Sequence, residues 1–115
     1  MNTTIYHNPR CSKSRQTLEL ITSRGIEPTV VEYLKTPPSE TTLRALIQAL
    51  GIGPRELLRK GESAYKELGL DDASLSDDAL IQAMLEHPVL MERPIVTHGD
   101  RAAIGRPPES VLSIL

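Results

Sequence analysis

The stretch from Thr3 to Leu34 constrains the fold more than any other part of this 115-residue chain. Thr3-Thr4-Ile5-Tyr6 is a short β-branched and aromatic run that stops at His7-Asn8-Pro9, which predicts a strand entering a turn. A helix is expected from about Ser12 to Arg24. Leu18, Leu20 and Ile21 are its apolar positions and Gly25 its stop. Thr29-Val30-Val31-Glu32-Tyr33-Leu34, with Pro28 at its start, predicts a second strand. A crossover of this length permits parallel pairing, so a sheet with a helix packed on it is the expected nucleus.

After Pro37-Pro38 the pattern becomes helical. Ser39 is a candidate N-cap, and Leu43, Leu46, Ile47 and Leu50 form a stripe that Gly51 ends. Pro54 opens a short helix through Leu57-Leu58, and another is expected near Ser63 to Leu68. Ser76, with Asp77 and Asp78, caps a further helix reaching about His87. Strand signals return at Pro94-Ile95-Val96-Thr97. The turn His98-Gly99-Asp100 leads Arg101 to Ile104 back as a hairpin. Pro107-Pro108-Glu109 opens a last helix carrying Val111, Leu112 and Leu115. The expected architecture is one α/β domain over residues 1–115, a mixed sheet in the order βαβ, helices, ββα, with an all-helical insertion at about 39–90.

The core must be aliphatic, because the chain has no Phe, no Trp and only three Tyr. A net charge of −2 excludes a general binder of nucleic acid or anionic membranes. No apolar run approaches the roughly 18 residues of a spanning helix, and Met1 to Tyr6 lacks the features of a secretory signal. A cytoplasmic location is therefore expected. A single cysteine, Cys11, agrees with it weakly and forbids an intrachain disulfide. Any redox cycle at Cys11 must draw its second thiol from outside the chain.

A lone cysteine is most often a small inert hydrophobe. Cys11 has unusual surroundings. It follows a strand-ending turn and precedes a helix, whose first N–H groups and dipole favour a thiolate and can hold an anion. His7, Arg10, Lys13 and Arg15 are its neighbours in sequence, and such cations lower a thiol pKa. Ser12-Lys13-Ser14-Arg15 is a candidate anion cradle. A cysteine phosphatase would need arginine six positions after the cysteine, and that position is Thr17. One Cys and three scattered His make a poor zinc site, so no metal is expected.

The segment His7-Asn8-Pro9-Arg10-Cys11-Ser12-Lys13-Ser14-Arg15 resembles the active-site loop of the glutaredoxin-coupled arsenate reductases, the ArsC family. The likeness continues through Tyr33-Leu34, Leu57-Leu58-Arg59-Lys60, Tyr65 to Leu70, His87-Pro88, Arg93-Pro94-Ile95-Val96 and Gly105-Arg106-Pro107, in the family's order. Longer members of the family continue past the position of Leu115. The resemblance implies a thioredoxin-like fold with a helical insertion, Cys11 as nucleophile, and Arg59, Arg93 and Arg106 as oxyanion-binding groups. It also implies a cis Arg93-Pro94 bond and supporting roles for His7, Ser14 and Arg15. His7 would tune the thiolate and Ser14 would hydrogen-bond the sulfur.

The implied activity is reduction of arsenate to arsenite, with glutathione as co-substrate, glutaredoxin as partner and no bound cofactor. A monomer is expected. Two other readings share the motif. Spx-type redox regulators, which bind RNA polymerase, have this fold, but many carry C-x-x-C where this chain has Ser14. A monothiol oxidoreductase acting on glutathione mixed disulfides would need none of the three arginines.

Overall fold

Strand β1, Thr3–His7, buries every second residue: Thr3, Ile5 and His7. Helix α1, Ser12–Ser23, carries the chain to β2, Thr29–Glu32, which pairs parallel with β1, Ile5 opposite Val30 and His7 opposite Glu32. Strand β3, Ile95–His98, lies antiparallel along the other side of β1 with Val96 opposite Ile5, and returns as β4, Arg101–Ile104. The computed structural model describes residues 2–115, and its sheet has the order β2-β1-β3-β4. Glycine serves the hairpin turn because Gly99 has φ 63°, a conformation that other residues rarely adopt.

The chain forms two compact units. The first comprises the residues up to Thr36 together with Arg93–Leu115, and the second is Pro37–Glu92. Ile5, Ile21, Val96, Val111 and Ile114 form the core of the sheet unit, with Leu18, Leu20, Ile26, Ala103 and Leu115 packed against it. No aromatic ring enters this cluster, but the expectation of a wholly aliphatic core is corrected, because Tyr33 and Tyr65 are buried elsewhere.

Three local expectations are corrected. The second strand ends at Glu32, not Leu34, because the Glu32 carbonyl accepts the N–H groups of Lys35 and Thr36 at 2.9 Å each and turns the chain. The stripe that α1 buries is Ser14, Thr17 and Ile21, so its first turns put polar residues inside. The last segment, Pro108–Ser113, is a 3₁₀ helix. Ser110 N–H bonds the Pro107 carbonyl and Ile114 N–H bonds Val111, both i to i−3. From this segment Val111 is fully buried and reaches the core of the sheet unit.

The second unit contains α2 (Glu40–Leu50), α3 (Pro54–Leu57), α4 (Ser63–Glu67) and α5 (Asp77–Glu86), followed by a 3₁₀ turn at Pro88–Leu90. Both serine caps form. Ser39 Oγ accepts the N–H of Thr42 and Ser76 Oγ that of Ala79, each at 3.2 Å. Leu43, Leu46 and Ile47 are buried, and Gly51 closes α2 with φ 69°. Among the described residues, no helix is long and apolar enough to cross a membrane.

Candidate active site

The turn between β1 and α1 is built by short hydrogen bonds. Asn8 Oδ1 accepts the Arg10 N–H at 3.0 Å, and the Asn8 carbonyl accepts the Cys11 N–H at 3.0 Å. Arg15 Nη1 donates to the Pro9 carbonyl at 2.9 Å and braces the turn from the helix side. Cys11 is thereby the N-cap of α1, in an extended conformation (φ −94°, ψ 122°), and its carbonyl takes the Arg15 N–H. A side chain at that position faces the unpaired N–H groups of the first helical turn.

The Cys11 sulfur sits in a field that favours its anion. Partial burial acts to raise the thiol pKa, but the opposing influences win and hold it below the ordinary thiol value. They are the backbone N–H groups of Ser14 and Lys13, the positive charge of Arg93, and a hydrogen bond from the Arg106 side chain. A thiolate so placed has the chemistry of a nucleophile, and donors of this kind are suited to an oxyanion.

Arg93 and Arg106 arrive from the far end of the chain. Arg93 lies two residues before β3, Arg106 lies two residues after β4, and Arg106 Nη1 donates to the Arg93 carbonyl at 3.2 Å. The Arg93-Pro94 bond is cis, as the resemblance implies; Arg106-Pro107 is cis as well, which nothing in the sequence marked. Arg59 belongs to the helical unit. There its Nη2 is 3.2 Å from Glu62 Oε2, its Nη1 is 3.4 Å from the Val89 carbonyl, and its backbone N–H bonds the Leu90 carbonyl at 2.8 Å.

Beneath the cysteine loop lies a buried polar pair. His7 Nδ1 is 2.6 Å from Ser14 Oγ, and Ser14 Oγ also accepts the Asn8 N–H at 3.0 Å. The Ser14 hydroxyl thus ties β1, the loop and α1 together, while its backbone N–H is what faces the sulfur. Burial lowers the His7 pKa, Glu32 pulls it upward and Arg15 lowers it further; the net direction is down, which keeps the ring neutral near pH 7.

The family model described as the ArsC family matches residues 6–114. The chain belongs to the ArsC family. A curated ArsC relative from Escherichia coli, named arsenate reductase, is 54% identical over 99% of this chain and 81% of its own length. The Escherichia coli K12 protein YfgD, described as uncharacterized, is 60% identical over 96% of this chain and 94% of its own. The solved structure of an arsenate reductase from Vibrio cholerae superposes with a TM-score of 0.97, at 55% identity, covering 100% of this chain and 98% of that one. The thioredoxin-like architecture expected of an ArsC member is the one observed.

Two buried residues of the ArsC fold were given no role by the sequence. Thr17 is fully buried and donates from Oγ1 to the Lys13 carbonyl at 2.7 Å. Gly105 is buried against Thr17 and Pro94, and its N–H bonds the Pro94 carbonyl at 2.9 Å. Thr17 occupies the sixth position after the cysteine, which the sequence reading consulted only for an arginine.

Proposed function

We propose that this chain is an arsenate reductase that works through Cys11. The observation that carries the reading is the convergence on one sulfur of helix N–H groups and two arginines, Arg93 and Arg106, that are distant in sequence. A guanidinium donates paired hydrogen bonds and keeps its charge, which suits a tetrahedral oxyanion. Arsenate reductase is also the name borne by relatives about half identical over nearly the whole chain. The assignment of Arg59 to the oxyanion rests on the family motif.

The reaction proceeds in four steps. The Cys11 thiolate attacks arsenic(V), forming a sulfur–arsenic bond, and one arsenate oxygen leaves as water after protonation. Arg93 and Arg106 offset the charge on the remaining oxygens. Glutathione thiolate then displaces a second oxygen and adds its sulfur to arsenic. A glutaredoxin thiolate attacks that glutathione sulfur, forming a mixed disulfide, and the pair of the broken As–S bond reduces arsenic to As(III). Water finally cleaves the Cys11–As bond, releasing arsenite and the free thiol. Two electrons enter from two external thiols, as a chain with one cysteine requires.

The test is arsenate-dependent NADPH oxidation, coupled through glutathione, glutaredoxin and glutathione reductase, for the wild type and Cys11→Ser. The expected result is turnover in the wild type and none in the variant. Wild-type protein that stays inactive while Cys11 alkylates readily at pH 7 would overturn the assignment of arsenate.

A further inference from the structure

The approach of Gly105 to α1 is tighter than any side chain would allow. A Cβ built on Gly105 would fall 2.5 Å from Thr17 Oγ1, 2.8 Å from Pro94 Cγ and 3.0 Å from Thr17 Cγ2. The backbone there has no positive φ, so conformational freedom is not why glycine stands at 105; space is. Neither neighbour yields easily. Thr17 is wholly buried with Oγ1 held by the Lys13 carbonyl, and Pro94 is a buried ring whose carbonyl already takes the Gly105 N–H. The next residue is Arg106, whose N–H bonds the Ile104 carbonyl at 2.9 Å, whose Nη1 donates to the Arg93 carbonyl at 3.2 Å, and whose side chain is among the donors that lower the Cys11 thiol pKa.

We propose that Gly105 is a positioning residue for the reaction: its bare backbone lies against Thr17 and Pro94, and this close approach holds Arg106 at the Cys11 sulfur. Thr17 is the other half of the device. The sixth position after the cysteine, which holds no arginine of its own, becomes the surface against which a distant segment is seated so that its arginine arrives. The groups facing the sulfur are then the N–H donors of Lys13 and Ser14 from α1, Arg93 from the β3 side and Arg106 from the β4 side. Arg106 is bonded to Gly105 itself, while Arg93 meets the contact only through Pro94, so Arg106 is the donor that a displaced Gly105 moves most, and a hydrogen bond from it weakens steeply with misalignment. The inference rests on Cys11 being the reacting thiol and is independent of which oxyanion it attacks.

The experiment measures the rate of Cys11 alkylation by iodoacetamide against pH in Gly105→Ala, Arg106→Ala and the double variant. Gly105→Ala is expected to react about threefold more slowly at pH 7, with its profile displaced to higher pH, because its thiolate loses a charge-assisted donor. Added to Arg106→Ala, the same substitution should change nothing further, since it acts through that residue. Placing Thr17→Ala beside Gly105→Ala clears two of the three close contacts and should restore part of the rate, which a general loss of stability would not do.

A folded Gly105→Ala that alkylates at the wild-type rate would overturn the proposal. So would a second threefold loss in the Arg106→Ala background. If Gly105→Ala does not fold, Thr17→Ala alone decides. It adds no bulk, and it should slow alkylation less, again only when Arg106 is present; an unchanged rate sinks the idea. Because the readout needs only the thiol, a failure of arsenate turnover would count against the arsenate assignment and leave this result standing.

Discussion

Replacing Ser14 by alanine separates two roles that lie within one residue. The hydroxyl is fully buried and joins His7 Nδ1 at 2.6 Å to the Asn8 N–H at 3.0 Å. Its removal leaves both partners without that bond, and an orphaned buried polar group costs about 1–3 kcal/mol. His7 is buried and meets the larger part of this range, while Asn8 is half-buried and reaches water more easily. The expected total is about 2–4 kcal/mol, a large share of the roughly 5–15 kcal/mol that holds a domain folded. Urea denaturation followed by circular dichroism reads this directly as a lower midpoint with an unchanged slope. The Ser14 backbone N–H, which acts on the sulfur, survives the substitution. Cys11 alkylation at pH 7 should therefore stay within about twofold of wild type. A stability loss below about 1 kcal/mol would refute the accounting, since it would mean that the two partners find water instead. Alkylation slowed as far as in Arg93→Ala would refute the division of roles, placing the hydroxyl at the sulfur.

Two further outcomes follow from the same electrostatics. Removing the Arg93 charge should slow Cys11 alkylation at pH 7 and displace its profile to higher pH, because that charge helps hold the thiol pKa down; a profile unmoved in Arg93→Ala would contradict the site. His7 ionises below its ordinary value of 6.5, chiefly through burial, so just below that pH the unfolded chain binds a proton that the folded chain does not. Stability should then fall as pH drops through that window, and His7→Gln should show a shallower fall in urea midpoint; parallel curves would exclude His7 as the cause.

The strand and helix order was legible because it is written in local signals. Proline, glycine and β-branched runs mark β1, α1 and the β3–β4 hairpin, and Ser39 and Ser76 cap the helices at which their positions hint. The limits of those signals explain the corrections. The turn that takes Tyr33 out of the strand is local, closed by Lys35 and Thr36 N–H on the Glu32 carbonyl, but Tyr33-Leu34-Lys35 includes no Gly, Asn, Asp or Pro to mark it. Apolar periodicity pointed to Leu18 and Leu20, which pack against the core, yet α1 also buries Ser14 and Thr17, whose hydroxyls are bonded to His7 across the loop and to the Lys13 carbonyl one turn back. Around Cys11 the helix-start chemistry could be reasoned from neighbours in sequence. The involvement of Arg93 and Arg106 could not, since roughly eighty to a hundred residues separate them from the cysteine and only the family motif linked them. Gly105 was quoted as part of that motif without a role, because a close backbone approach leaves no trace in composition or period.

The sheet unit is assembled from both ends of the chain, and this bears on what happens during synthesis. A ribosome delivers Cys11 roughly eighty to a hundred residues before Arg93 and Arg106. Until β3 and β4 have emerged, β1 has no antiparallel neighbour and the sulfur lacks both guanidinium groups. Before that pairing the sulfur has at most the N–H groups of Lys13 and Ser14 to favour its anion, and the contribution of the two guanidinium groups arrives only when the later strands have joined β1.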